Sequence, residues 1–243
     1  MPSLKIGLQA TAIYIAVVAL GMIYVYVIRA EPYGTALMVS HFWVVELILC
    51  GIVLYYIIRY FGWSGVGFGR INWRATVWML PAYMVLGAML LVQVPKLMDG
   101  SLTAVEWSLL GWLTLTTFMI GFSEEVMFRG ILLRGALTRL SVVQAMVLSA
   151  ALFALMHAVN VLAGQPFENT VQQLAFTFLV GFFLAPIALK IGNLWPLIIW
   201  HWLWDLVLFS TDVLGGFQPF AFLGLLFQAV ISLWLWREVM QNS

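Results

Sequence analysis

The chain has 243 residues, of which 64% are hydrophobic and 9% charged, with a formal net charge of +1. A soluble domain carries about 25% charged residues, so this composition describes a protein that crosses a membrane several times. Backbone binding to nucleic acid needs clustered Lys and Arg, and 11 basic residues spread along the chain do not supply it.

A spanning helix needs roughly 20 mainly apolar residues. The polar and turn-rich breaks divide the chain into eight such stretches, at about 7 to 28, 36 to 58, 75 to 95, 107 to 128, 142 to 163, 171 to 190, 194 to 211 and 217 to 236. The expected fold is therefore all-α, a polytopic membrane helix bundle of about eight transmembrane helices. The apolar run that follows Lys5 is too long for a signal-peptide core and lacks a small-residue cleavage site, so it is expected to be retained as the first span. No gap is long enough for a soluble domain, and no internal repeat or linker is visible, so residues 1–243 are expected to form one domain. The Gly-rich segment 59–74 is expected to be solvated interface.

With eight spans both termini lie on one side, together with Lys5, Arg59, Arg70, Arg74, Arg129, Arg134, Arg139, Lys190 and Arg237. Arg29 and Lys96 fall on the other side. Loops rich in Lys and Arg stay in the cytoplasm, so both termini are expected there. Tyr60, Trp63, Trp73, Trp107, Trp195 and Trp236 near span ends fit interfacial aromatic belts. Cys50 lies in an apolar run and, as the single cysteine, forms no internal disulfide.

The fourth span ends in Ser123-Glu124-Glu125-Val126-Met127-Phe128-Arg129-Gly130. A charged group near the bilayer centre costs about 2.5 to 3.5 kcal/mol even on the lenient insertion scale, so this density of charge points to function. Phe153-Ala-Leu-Met-His157-Ala-Val-Asn160 lies in the fifth span and His201-Trp-Leu-Trp-Asp205 in the seventh. Glu125 with Arg129 and His201 with Asp205 are spaced i, i+4, and His157 with Asn160 i, i+3, so each pair shares a helix face.

Depth brings these groups together. If Arg134 marks the headgroup level, Glu124 lies ten residues inward, about 15 Å at 1.5 Å per residue. A turn near Leu140-Ser141, with Ser141 as N-cap, leaves Glu124 and His157 equidistant from it, hence level in an antiparallel hairpin. His201 is eight residues beyond Asn193, about 12 Å by the same rise. The two glutamates, the two histidines and Asp205 are thus expected at one depth, open toward the cytoplasm. Glu125 and Arg129 read as a buried ion pair that braces the helix, whereas Glu124, about 100° round the helix, has no local partner. Asn160 reads as an interhelical hydrogen-bonding group. His41, Glu46 and Asp212 belong to no motif and read as interface or interhelical contacts, and Met127, Met146 and Met156 as packing residues.

A glutamate facing a histidine across a small wet cavity suits general-base activation of water. A second imidazole can donate to the oxyanion that forms when water attacks a carbonyl. No serine or cysteine stands in a nucleophile motif, which leaves an acyl-enzyme route without a candidate.

Glu124-Glu125-x-x-x-Arg129, Phe153-x-x-x-His157 and His201-x-x-x-Asp205, in that order on an eight-span chain, resemble the three motifs of the CPBP family, the CAAX-protease and bacteriocin-processing intramembrane endopeptidases. The resemblance covers about residues 107 to 210. It implies a metal-free endopeptidase without cofactor in which Glu124 activates water with His157, Glu125 and Arg129 support the site, and His201 and the residue at 205 bind the oxyanion. The prenyl-protein members typically carry Asn at the last position, and Asp is usual in many bacterial relatives. An ionised aspartate cannot donate to an oxyanion, so Asp205 is either protonated or orients His201 from one turn away, and the second is expected. The implied substrate is a peptide or the C-terminal segment of a membrane-associated protein, and the compact chain suggests a bacterial inner membrane. Two rival readings are a zinc peptidase using His157, His201 and a carboxylate, and a noncatalytic immunity protein or proton-coupled carrier.

Overall fold

A computed structural model describes residues 1–215 and 219–241. Its helices are α1 (Leu4–Ile28), α2 (Ala36–His41), α3 (Trp43–Phe61), α4 (Ala75–Met98), α5 (Ala104–Ala136), α6 (Val142–Ala163), α7 (Phe167–Ile191), α8 (Trp195–Leu214) and α9 (Pro219–Gln241). Among the described residues no strand forms beyond an isolated bridge between Phe68 and Asn193. All except α2 and α9 are, among the described residues, long and apolar enough to cross a membrane. The chain is a polytopic all-α membrane bundle. The helix α9, 23 residues long, falls where the eighth span is expected, although positions 217 and 218 of that span lie outside the described residues.

Local sequence chemistry sets the helix starts. Ser141, the expected N-cap of α6, forms a reciprocal capping box with Gln144, and Thr103 does the same with Glu106 at the start of α5. The expected second span is broken at Phe42, so that α2 stands apart as a short helix whose first amide, Ala36 N, donates to Asp212 Oδ2 at 2.8 Å. Asp212 thereby ties α2 to the far end of α8, which is the interhelical role expected of it.

One boundary departs from expectation in a way that matters. The fourth span does not end near residue 128: α5 runs unbroken to Ala136, and residues Val126–Leu132 widen into a π-helical stretch. Such insertions shift the facing of side chains and recur at functional sites. Arg129 lies wholly buried inside the bundle, as expected of a buried ion pair with Glu125. Ser149 Oγ on α6 donates to the Phe128 carbonyl at 2.8 Å, which gives the rearranged backbone an acceptor contact across the helix pair.

The helices α5 and α8 pack together, as do α6 and α7, while α1 lies against α3, the end of α5 and the end of α6. The α5/α8 contact is close because of Gly121: a Cβ there would stand 2.8 Å from Trp202 N and 3.1 Å from the Ile198 carbonyl oxygen. Backbone meets backbone at this crossing, one turn before Glu124 and Glu125.

Contacts fix which connections share an end of the bundle. At one end Leu4 N donates to Thr138 Oγ1, and the 62–74 segment docks on the α7/α8 link through Leu194 N to the Gly67 carbonyl and Asn193 Nδ2 to the Gly69 carbonyl. This is the basic end, with Lys5, Arg70, Arg74, Arg134, Arg139 and Lys190. At the other, distal end, Tyr33 N donates to the Ala163 carbonyl. The 62–74 segment is in part the solvated interface expected, with Trp63, Ser64, Arg70, Asn72, Trp73 and Arg74 exposed, but its middle packs inward. Val66 is fully buried, and the Phe68 ring packs against Trp63, Phe122 and Trp195. Gly67 adopts φ +102°, a backbone conformation that costs glycine little.

Candidate active site

The helix α5 carries Glu124, Glu125 and Arg129, α6 carries His157 and α8 carries His201 and Asp205. Their centre is Glu125, a fully buried carboxylate. Its Oε1 accepts from Arg129 Nη1 at 3.0 Å, one turn along the same helix, and from His201 Nδ1 at 2.9 Å, across the close α5/α8 crossing. The Arg129 guanidinium lies 4.0 Å above the Phe153 ring. A cation over an aromatic face is stabilised by the ring quadrupole, and this contact stitches α6 to the pair. The same ring meets His157 and His201 edge-on, with centroids 5.1 and 6.1 Å away.

Because Glu125 holds His201 by Nδ1, the opposite nitrogen, Nε2, is turned to the other carboxylates. It lies 3.7 Å from Glu124 Oε2 and 3.5 Å from Asp205 Oδ2. Asp205, expected to orient His201, faces it from one turn away at 3.5 Å. The shorter contact, to the far nitrogen, belongs to Glu125, and Asp205 shares with Glu124 the nitrogen that faces outward. His157 places Nδ1 3.0 Å from the Phe153 carbonyl oxygen of its own helix. That carbonyl can only accept, so Nδ1 carries the proton and Nε2 of the neutral ring is an acceptor.

A cavity of about 490 Å³ adjoins this cluster. Glu124, His157, His201 and Asp205 line it, and Glu125 and Arg129 stand behind its wall. The rest of the lining is mostly apolar, including Val18, Met22, Ile120, Phe153, Phe176, Trp200 and Trp204. Glu124 is itself nearly buried, yet its Oε2 has no hydrogen-bond partner in the protein. An unpartnered carboxylate oxygen on a cavity wall is where a substrate or water can be received. Among the described residues no group of three or more His, Cys, Asp or Glu side chains is arranged to hold a metal ion.

The cavity lies on the distal side of the cluster. From Glu124 it extends along the distal halves of α1, α6, α7 and α8 to Tyr33, Asn160, Gln173 and Leu208, away from the basic end. The basic side of the cluster is occupied instead by the 62–74 segment, whose Val66 carbonyl oxygen lies 3.0 Å from where a Cβ on Gly130 would stand. Tyr33, Asn160 and Gln173 form a hydrogen-bonded trio at the distal mouth: Asn160 Nδ2 donates to Tyr33 Oη at 2.7 Å and to Gln173 Oε1 at 2.8 Å. This is the interhelical bonding expected of Asn160. Burial pushes the Tyr33 phenol up to about 12, so it stays a neutral hydroxyl.

Sequence reasoning passed over a second polar group beside the site. Glu46 of α3 is buried and lines the cavity, accepting from Ser123 Oγ at 2.9 Å, and Ser123 Oγ lies 2.7 Å from Tyr14 Oη. A carboxylate in an apolar span was visible, but its partners come from two other helices and share no helical spacing with it. His41 pairs instead with Glu31 at 2.6 Å, at the distal surface.

Residues 106–207 match the family model described as type II CAAX prenyl endopeptidase Rce1-like. This region of the chain is similar to the CAAX-protease family. The matched region runs from the first turn of α5 to α8 and contains all six site residues, while α1, α2 and α3 complete the cavity from outside it. No curated protein and no solved structure gives a significant match to the chain. The apolar helices make the chain an integral membrane protein.

Proposed function

We propose that the chain is an intramembrane endopeptidase of the glutamic type, which hydrolyses a peptide bond with water activated by Glu124. The observation that carries this reading is the cavity-facing Glu124 carboxylate without a protein hydrogen bond, opposite His201 Nε2 at 3.7 Å. Water held by Glu124 loses a proton to the carboxylate as its oxygen adds to the scissile carbonyl carbon. His201, protonated on both nitrogens, donates from Nδ1 to Glu125 and from Nε2 to the oxyanion, a fixed dipole where negative charge develops. The C–N bond then breaks, and the proton taken up by Glu124 passes to the leaving amine. His157, with Nε2 as acceptor on the same wall, holds the water's second proton.

Glu125 and Arg129 do not touch the reacting atoms in this scheme and act as positioning residues. The buried ion pair sets the facing of His201, and the mainly apolar lining suits a peptide segment delivered from lipid. The test is the purified protein in liposomes, incubated with a panel of single-span membrane peptides, with new termini identified by mass spectrometry. Wild-type protein is expected to generate defined new termini that Glu124→Gln does not. Equal cleavage by the variant, or one equivalent of zinc lost together with activity on chelation, would overturn the proposal.

A further inference from the structure

The residues on either side of Glu124 in the chain are both tied down, on opposite faces of α5. Glu125 accepts from His201 of α8 at 2.9 Å. Ser123 Oγ donates to Glu46 Oε2 of α3 at 2.9 Å and lies 2.7 Å from Tyr14 Oη of α1. Positions two apart on a helix face about 200° away from each other. These ties therefore grip α5 from opposite sides and leave Glu124 between them, on the cavity wall. The second tie is enclosed: Glu46 is 2% exposed, and Tyr14 and Ser123 are fully buried. One turn away on each helix, the Cys50 thiol of α3 donates to the Met119 carbonyl of α5 at 3.7 Å, so the two helices meet along an antiparallel seam. Glu46 lines the same cavity as Glu124 but falls outside the region that matches the family. A carboxylate in an apolar span is costly to keep, and a well-packed leucine would serve packing as well.

We propose that Glu46 is a positioning residue of the active site, which acts through Ser123 to hold the facing of α5 so that Glu124 addresses the cavity. Glu46 on α3 is then the counterpart of His201 on α8. Without it α5 loses its hydrogen-bonded hold on α3 at this level, and a small rotation carries the Glu124 carboxylate away from His201 Nε2, from which Oε2 stands 3.7 Å. A displacement of about 1 Å costs about 10²-fold in rate. Binding of the peptide, spread over the apolar lining, is little affected. The role at Glu124 rests on the endopeptidase reading above; the tie between α3 and α5 does not.

The test compares Glu46→Leu, Glu46→Gln and Ser123→Ala in the liposome assay, and by alkylation of Cys50, the one cysteine of the chain, with N-ethylmaleimide in detergent. Glu46→Leu is expected to lower kcat about 10²-fold and to move KM less than about twofold, the pattern of a misplaced reacting group. Glu46→Gln, whose amide oxygen still accepts from Ser123, is expected to keep kcat within about threefold of wild type. Ser123→Ala is expected to lose as much as Glu46→Leu, and the double variant no more than either, because both remove one hydrogen bond. Should the leucine variant fail to melt cooperatively, Ser123→Ala carries the same comparison. Alkylation of Cys50 is expected to run about fivefold faster in Glu46→Leu and Ser123→Ala, as the seam opens more often, and at the wild-type rate in Glu46→Gln. Additive losses in the double variant, a glutamine variant as slow as the leucine variant, or unchanged Cys50 alkylation in Glu46→Leu and Ser123→Ala each overturn the proposal. Wild-type protein that cleaves nothing counts against the endopeptidase reading alone, and the Cys50 rates still decide whether Glu46 holds α3 to α5.

Discussion

Glu124 and Glu125 are adjacent, chemically identical, and put to opposite uses by their surroundings. Glu125 is sealed behind the wall, with one oxygen shared between Arg129 and His201. Glu124 is on the wall, with its Oε2 3.7 Å from His201 Nε2 and free of any protein hydrogen bond. A rotation of about 100° between successive residues is enough to separate the two environments. A pair of acidic residues in a membrane helix is thus not a single structural unit: one holds an imidazole, and the other faces the cavity.

Substitutions can break that division at either member. The largest loss is expected for Glu124→Gln, about 10³-fold in kcat/KM toward any peptide the wild type cleaves, within the range for a general base, and with melting in detergent unchanged. Arg129→Met attacks the other side. It leaves Glu125 buried without its ion pair, and is expected to cost about 3–5 kcal/mol of stability, read from denaturation in micelles. Gly121→Val tests the crossing that lets α8 reach α5. Its new side chain must displace Trp202 N, 2.8 Å from the Cβ position, and a shift of about 1 Å at the site is worth about 10²-fold in rate. Asp205→Asn is expected to have the smallest effect, about tenfold, the low end for a group that acts through another. If Asp205→Asn is as inactive as Glu124→Gln, the carboxylate at 205 belongs with the chemistry and the two-sided division is incomplete.

Much of this arrangement was legible in the sequence because membrane interiors make polar groups conspicuous. The i, i+4 spacings of Glu125 with Arg129 and His201 with Asp205, and the hairpin about Ser141, were enough to bring three helices to one level. What could not be read was which nitrogen of His201 meets which carboxylate, because that depends on the facing of α8 against α5. That facing is set by Gly121, a residue with no side chain to notice. The π-helical turn at Val126–Leu132 was also hidden, since its residues are as apolar as those of any α-helical span. The packing of the middle of the 62–74 segment was also hidden: its glycines suggested solvent, whereas Val66 is buried and Phe68 packs against Phe122.

The hydroxyl of Ser123 imposes a polarity on its neighbourhood. It has one proton, and with Glu46 Oε2 accepting it at 2.9 Å, the 2.7 Å contact to Tyr14 must run the other way, phenol to serine. The three groups thus form a one-way chain of O–H bonds from α1 through α5 to α3, ending on a carboxylate at the cavity. Reversing it requires a proton to enter at Glu46, so the occupancy of the cavity and the direction of a chain that reaches α1 are joined through a single serine.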